Sequence, residues 1–227
     1  MKKLLLLLLL PLFLISCSSD DSSSSIKLSN TPEAVVAYDN SNFGIYKGVF
    51  VGSTGTILIN FMNDGVISAK LTIDGKTYNF TTEDEVTEGE LTDLHFVSGN
   101  MDFYFMVESD GSNPYIDGIN IPGHSGAAMY IIKETSEHLV RCYQGTFKGD
   151  SSGTLNLIVY ENEIYGLAKS SEDDNSSELE GYITENNTIV GYFEGGTFEG
   201  TINENSVSGT WMTINEDSGT WSGTRKL

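Results

Sequence analysis

The sequence is dominated by one short pattern in which an aromatic residue has glycine two positions away on each side. Five copies of Gly-x-aromatic-x-Gly are centred on Phe50, Phe147, Phe193, Phe198 and Trp221. Residues two apart share one face of a strand, so each copy places a ring between two positions without side chains. Small barrels alternate small and large residues inward in this way. The pattern predicts sharply bent strands, with each ring over the glycines of its own strand. We expect these rings to lie in the core. The alternative is that they form a platform for a ligand.

The rest of the body also has the pattern of β-strands. Short runs with period-2 alternation, such as residues 56–61, 101–107 and 207–213, end at Gly, Asn, Asp or Ser. The turns between runs are short, for example at residues 63–65 and 161–163. Connections of this length make consecutive strands antiparallel neighbours. We therefore expect an all-β chain folded as antiparallel up-and-down meanders.

An internal repeat divides the body into two halves. Residues 46–52 align with residues 143–149, and each copy continues through a Ser/Thr turn into Gly-Thr and an aliphatic residue. The repeat predicts two tandem meanders, residues 43–138 and residues 139–227. They could form two small barrels or strongly curved sheets, or one larger sheet, and the pattern does not distinguish these.

The N-terminus resembles that of a bacterial lipoprotein. Lys2 and Lys3 precede an apolar stretch over residues 4–15, which is shorter than the roughly 20 residues a membrane span needs and fits a secretory signal. The following Leu14-Ile15-Ser16-Cys17 resembles the lipobox, before whose cysteine the leader is cut and on whose cysteine acyl chains are added. The resemblance implies a signal peptide at residues 1–16 and lipidation of Cys17. An ordinary secreted protein with a chance cysteine is the alternative.

The residues after Cys17 resemble the acidic export signal of Bacteroidota-type surface lipoproteins. That signal would consist of Ser18, Ser19, Asp20 and Asp21, and it implies a lipid anchor in the outer membrane with the protein facing the cell exterior. A merely soluble linker is the alternative. Residues 17–42, which lack glycine and are rich in serine, are expected to be the acylated cysteine and a flexible stalk.

Composition excludes several classes of protein. The chain has 32 Asp and Glu against 12 Lys and Arg, a net charge of −20, which excludes a nucleic-acid partner because phosphate binding needs excess positive charge. Two cysteines cannot form a disulfide framework or a zinc cluster. Cys142 is therefore expected to lie in a strand as a small apolar residue.

The Gly-Thr-Trp sequences at residues 209–211 and 219–221 carry a further resemblance. They are similar to repeats that end many bacterial lipoproteins with glycine-rich β-meanders, and loosely to avidin and lipocalin barrels. The resemblance implies a fold, and a fold alone does not assign a function.

No arrangement of residues predicts catalysis. Residues 123–126 read Gly-His-Ser-Gly, but Ala127 replaces the last glycine that a nucleophile elbow requires, so a loop is expected. His95 and His138 are far apart in sequence.

Apart from calcium, no cofactor is expected. Two acidic stretches could hold a calcium ion, or be ordinary solvated turns; their residues are Asp110, Asn113 and Asp117 in one and Glu172, Asp173 and Asp174 in the other.

Together these observations favour a non-enzymatic, lipid-anchored binding or interaction module on the outer membrane surface. Its ligand would be a glycan or a protein, contacted by loop ends and tyrosines such as Tyr104, Tyr115 and Tyr165. One alternative is an extracellular hydrolase that uses paired carboxylates. Another is an accessory structural subunit of an envelope assembly, which would expose a sizeable apolar patch.

Overall fold

A computed structural model describes residues 28–172 and 176–227, which form sixteen β-strands and one short 3-10 helix. Every strand pairing is antiparallel, so the all-β prediction is confirmed. Within these ranges no helix is long and apolar enough to cross a bilayer. The predicted lipidation site Cys17, the export residues 18–21 and the acids Asp173 and Asp174 lie outside the described residues.

The first half contains the 3-10 helix Val36–Tyr38 and eight strands in two curved sheets. The strands are β1 (Gly44–Val51), β2 (Gly55–Phe61), β3 (Ile67–Ile73), β4 (Lys76–Phe80), β5 (Thr92–Ser98), β6 (Met101–Val107), β7 (Tyr115–Asn120) and β8 (Ala128–Glu134). One sheet has the order β4-β3-β2-β1-β8 and the other the order β5-β6-β7. A bridge between Thr81 and Val97 links them, and their inward side chains form one shared core.

The second half is a closed eight-stranded barrel. Its strands are β9 (Val140–Gly149), β10 (Gly153–Tyr160), β11 (Glu163–Ser170), β12 (Ser176–Ile183), β13 (Thr188–Phe193), β14 (Gly196–Ile202), β15 (Ser206–Thr213) and β16 (Ser218–Arg225). Each strand pairs with the next, and β16 pairs with β9 to close the ring. The alternation of small and large inward residues allows the curvature that closure requires.

The two halves have the same strand order. In the first half β1 pairs with both β2 and β8, as β9 pairs with both β10 and β16 in the second. No described ladder joins β7 to β8. The strands of the first half therefore do not close into a barrel, whereas those of the second half do. The chain therefore forms one closed barrel and one pair of curved sheets.

The prediction that each ring of the repeated motif lies over glycines of its own strand is wrong. Four of the five rings cover a glycine of the paired strand, and the fifth, Trp221, covers Gly200 on β14. Gly191 lies opposite Phe198, and a Cβ on Gly191 would have atoms of that ring as its three nearest neighbours. Directly opposite positions are about 5 Å apart, closer than positions two apart on one strand, so the cross-strand contact dominates. The same relation joins Phe50 to Gly55, Phe147 to Gly153, Phe193 to Gly196 and Trp211 to Gly219.

A buried interface joins the two halves. Glu134, at the end of β8, pairs with Lys47 Nζ at 2.7 Å and accepts a hydrogen bond from the backbone N–H of Val140 at 3.0 Å. Beside it lies an apolar cluster consisting of Val49, Val140, Cys142, Ile158 and Leu227. Cys142 is a free, fully buried thiol in β9, which confirms the prediction made for it.

The packed body begins before residue 43, the predicted start of the first meander. Ser41 and Asn42 are buried, and the Asn42 amide donates to Thr92 Oγ1 at 2.8 Å and accepts from the Gly89 N–H at 2.8 Å. These contacts fix the last residues of the predicted stalk to the sheet formed by β5, β6 and β7. No pattern around this polar Asn indicates in advance that it anchors a loop.

Candidate functional site

The barrel contains an internal cavity of about 220 Å³ near one end. Ser151, Ser170 and Thr213, which lie at or beside the turns of that end, line its mouth. The apolar wall consists of Phe147, Leu155, Leu157, Ala168, Leu179, Phe193, Phe198, Trp211 and Trp221. Side chains such as Val159, Ile164, Ile189, Ile202 and Val207 belong to the same core but do not line the cavity.

The repeated motif forms this cavity directly. Four of the wall residues, Phe147, Phe193, Phe198 and Trp221, are the central rings of motif copies. Because the facing positions are glycines, no second layer of side chains fills the space between the rings. The expectation that the rings form the core is confirmed for Phe198 and Trp221, which are 5% and 4% exposed. The same rings also face an open volume.

The two tryptophans of the wall differ in their hydrogen bonding. Trp221 Nε1 donates to the Thr210 carbonyl at 3.1 Å. Trp211 is 9% exposed, and its buried Nε1 has no partner among the described residues. The Trp211 ring lies across the inner face of Gly219, where an added Cβ would come within 2.6 Å of Nε1. An unpaired buried donor of this kind costs about 1–3 kcal/mol.

The chemistry of the wall limits what can bind. Within the described part of the chain, the lining includes no charged side chain and no histidine, and its polar groups are serine and threonine hydroxyls and the indole nitrogens. A charged ligand would lose its hydration without a compensating partner. An apolar cavity of about 150 Å³ accommodates benzene, so a volume of 220 Å³ suits an uncharged molecule of one or two rings.

A second concave surface lies outside the barrel, between β8, the β6–β7 loop and β11. This tyrosine groove, with a volume of about 800 Å³, contains Tyr115, Tyr130, Tyr160 and Tyr165. The Tyr130 and Tyr165 rings stack with centroids 5.7 Å apart and an interplanar angle of 14°. Two of the predicted contact residues, Tyr115 and Tyr165, thus line the same groove. The third, Tyr104, does not line the groove and stacks on His95, with centroids 4.5 Å apart.

Charged groups border the tyrosine groove. Tyr165 donates its hydroxyl hydrogen to Glu163, and this hydrogen bond is the main reason that the pKa of Tyr165 is raised. Lys133 Nζ donates to the carbonyls of Tyr38 at 2.6 Å and Asp39 at 3.3 Å. Burial lowers the pKa of Lys133 to about 8, against the opposing effect of Asp39 and Asp110. The lysine therefore holds the residues before β1 against β8.

Each histidine has its own carboxylate partner, and no triad is formed by these contacts. The His95 Nε2 to Asp102 Oδ2 distance is 3.1 Å, and hydrogen bonds from Asn120 and His95 lower the pKa of Asp102. His124 lies 3.8 Å from Asp74, and its ring meets Phe50 edge to face. His138 lies 3.5 Å from Glu161. As the sequence predicted, residues 121–127 form a loop between strands.

Four of the residues considered for calcium, Asp110, Asn113, Asp117 and Glu172, lie in the described ranges. Hydrogen bonds from Ser112 lower the pKa of Asp110, whose Oδ1 accepts from the Ser112 N–H at 2.9 Å. Asp117 lies in β7 and accepts from its neighbour Gly118 at 2.7 Å, while Asn113 lies in the loop with a φ of 51°. Glu172 is exposed. Over residues 28–172 and 176–227, no group of three or more His, Cys, Asp or Glu side chains is arranged to hold a metal ion.

Comparison with other proteins gives no match: no family model, no curated protein and no solved structure is significantly similar to this chain. Function must therefore be argued from the geometry. Sequence reasoning missed the cavity, Trp211 as its distinctive residue, and the partnership of Tyr130 with Tyr165. Rings facing glycines in a closed barrel would have been the signal for the cavity, but closure itself is not visible in the sequence.

Proposed function

We propose that this protein is a lipid-anchored binding protein of the outer membrane surface, whose barrel holds a small, uncharged, mainly apolar ligand. The cavity lined by Phe and Trp rings carries the proposal, because ligand sites are concave, mainly apolar and contain a few placed polar groups. The lipobox-like residues 14–17 and the acidic residues after Cys17 support the anchor and the outward orientation.

Binding fits the cavity better than catalysis does. Its described lining has hydroxyl groups but no histidine, carboxylate or lysine that could activate one of them. A carboxylate-based hydrolase needs two acids facing one cleft, with the pKa of one of them raised. Asp102 and Asp110, whose pKa values are both lowered, do not have that character.

The proposal is tested by measuring the binding of 2-acetylnaphthalene calorimetrically, with the anchored protein in lipid nanodiscs and empty nanodiscs as the blank. Ser177 lines the cavity, whereas its neighbour Ser176 is exposed on the outer face of β12. Ser177→Phe fills the cavity and is expected to weaken binding by about tenfold or more, and the matched Ser176→Phe is expected to leave it unchanged. Equal effects of the two substitutions would contradict the proposal.

A second candidate function is glycan binding in the tyrosine groove. The stacked Tyr130 and Tyr165, with Tyr115 and Tyr160 nearby and Glu163 as a hydrogen-bond acceptor, offer the flat apolar faces and polar edges that sugar rings contact. Screening the protein against an oligosaccharide array tests this function. Tyr130→Ala should abolish any signal that the groove produces, whereas Tyr104→Ala, outside the groove, should preserve it.

A further inference from the structure

The wall of the cavity includes a buried indole N–H that makes no hydrogen bond to the described residues. Trp211 and Trp221 lie on neighbouring strands and line the same space, yet Trp221 Nε1 has the Thr210 carbonyl as acceptor and Trp211 Nε1 has no partner in the described ranges. Most buried polar side-chain atoms in native proteins are hydrogen-bonded, so the exception requires an explanation.

Gly219 and Phe147 pack against Trp211 and offer its N–H no side-chain acceptor. The indole edge lies over Gly219, which has no side chain to accept a hydrogen bond. The Phe147 ring meets it edge to face, with centroids 6.1 Å apart and planes at 88°. The Lys148 carbonyl borders the same side of Gly219, but Trp211 Nε1 makes no hydrogen bond to it or to any other described residue. Trp211 also lines the cavity, whose open volume is the space into which the indole can tilt.

We propose that Trp211 Nε1 is the specificity donor of the cavity and that the ligand is an uncharged ring compound with a carbonyl, ether or phenolic oxygen that accepts from it. This inference rests on the proposed function. The oxygen pairs with the indole N–H once the ring tilts from Gly219, and the rest of the ligand contacts the apolar wall. A carboxylate is disfavoured because no cation lines the cavity among the described residues.

An acceptor-bearing ligand is preferred for a definite physical reason. A ligand without an acceptor occupies the cavity but leaves the buried indole N–H unpaired. A ligand with an acceptor removes the free-energy cost of the unpaired N–H. This gain is partly offset, because the oxygen of the ligand loses a hydrogen bond to water when it enters the cavity. The net gain of one such bond corresponds to an affinity ratio of about 3- to 10-fold.

The test compares two ligands of equal size in three proteins. 2-Acetylnaphthalene carries a carbonyl oxygen, and 2-isopropylnaphthalene has a methyl group in its place. Dissociation constants are measured for both, with the anchored full chain in nanodiscs, for the wild type, Trp211→Phe and Trp221→Phe. The quantity of interest is the change in the ratio of the two constants, because it cancels the intrinsic difference in hydrophobicity between the ligands.

Trp211→Phe is expected to shift the ratio by about 3- to 10-fold toward the hydrocarbon. Trp221→Phe, which removes an N–H that is already paired, is expected to leave the ratio at the wild-type value, whatever its effect on the two affinities themselves. An unchanged ratio in Trp211→Phe, with both compounds still binding, would overturn the specificity role while leaving the cavity as a binding site. Failure of both compounds to bind the wild type would overturn the proposed function as well.

A second measurement needs no variant and so does not depend on the folding of one. The indole N–H resonance of Trp211 is followed by nuclear magnetic resonance during titration of the wild type. It should move downfield with 2-acetylnaphthalene and not with 2-isopropylnaphthalene, and the Trp221 resonance should not show this difference. Equal shifts of the Trp211 resonance with both ligands would contradict the inference.

Discussion

Replacing Gly191 by alanine tests the cross-strand contacts between glycines and aromatic rings on which the barrel depends. Gly191 is buried in β13 opposite Phe198. A Cβ at this position would have three atoms of the Phe198 ring at 2.7 Å or less, whereas ordinary contact begins at 3.4 Å. The ring, which is itself 5% exposed, must therefore move within a packed interior.

The expected magnitude follows from two opposing contributions. Overpacking of a core costs about 1–3 kcal/mol. A Gly→Ala change at an ordinary backbone conformation stabilises by about 0.4–1 kcal/mol through the unfolded chain, and Gly191 has no positive φ. We therefore expect Gly191→Ala to lower the free energy of unfolding by about 1–2 kcal/mol.

A double-mutant cycle assigns the cost to the ring. In a Phe198→Ala background the obstacle is absent, so Gly191→Ala should be neutral or stabilise by up to about 1 kcal/mol. The free energies of unfolding are obtained from urea titrations followed by tryptophan fluorescence. An equal cost in both backgrounds would refute the cross-strand explanation.

Three further outcomes are expected. Burial raises the pKa of Cys142 to about 12. In a Cys17→Ser variant, in which Cys142 is the remaining cysteine, the thiol should react with Ellman's reagent only on unfolding in urea. Rapid labelling of the folded protein would contradict the packing of the two halves. Cys17→Ser should abolish incorporation of labelled palmitate during expression in a bacterium with an outer membrane, and persistent labelling would exclude this residue as the acylation site. Lys133 has a pKa lowered from 10.5 to about 8, so between these pH values the unfolded chain holds a proton that the folded protein has released, and stability rises with pH. Subtracting the stability profile of Lys133→Met from that of the wild type should isolate this rise between pH 8 and 9.5, and a flat difference would contradict it.

The sequence predicts the strands well because their signal is local. Alternation over a few residues and the short turns between runs determine neighbouring strands, so the antiparallel order within the barrel follows directly. The repeat also places β1 and β9 in equivalent positions. The repeat does not predict which half closes into a barrel. Closure of the second half depends on the pairing of β16 with β9, and the first half stays open because β7 and β8 do not pair.

The candidate site is less visible in the sequence for a related reason. Motif spacing places Phe198 between Gly196 and Gly200 along the chain, but the glycine it covers, Gly191, lies on the neighbouring strand. Register between strands is therefore needed before a cavity can be inferred. The unpaired nitrogen of Trp211 is equally hidden, because Trp211 and Trp221 both follow a Gly-Thr pair and differ only in what the fold places beside them.

The most direct test of the account is to locate a bound probe in the barrel. With 2-acetylnaphthalene added to methyl-labelled protein in nanodiscs, nuclear Overhauser effects should connect the probe to the methyl groups of Leu155, Leu157 and Leu179, which line the cavity. The methyl groups of Ile57 and Leu71, buried in the core of the first half, should show none. Contacts confined to the outer surface, or to the first half, would contradict the claim that the barrel is the ligand site.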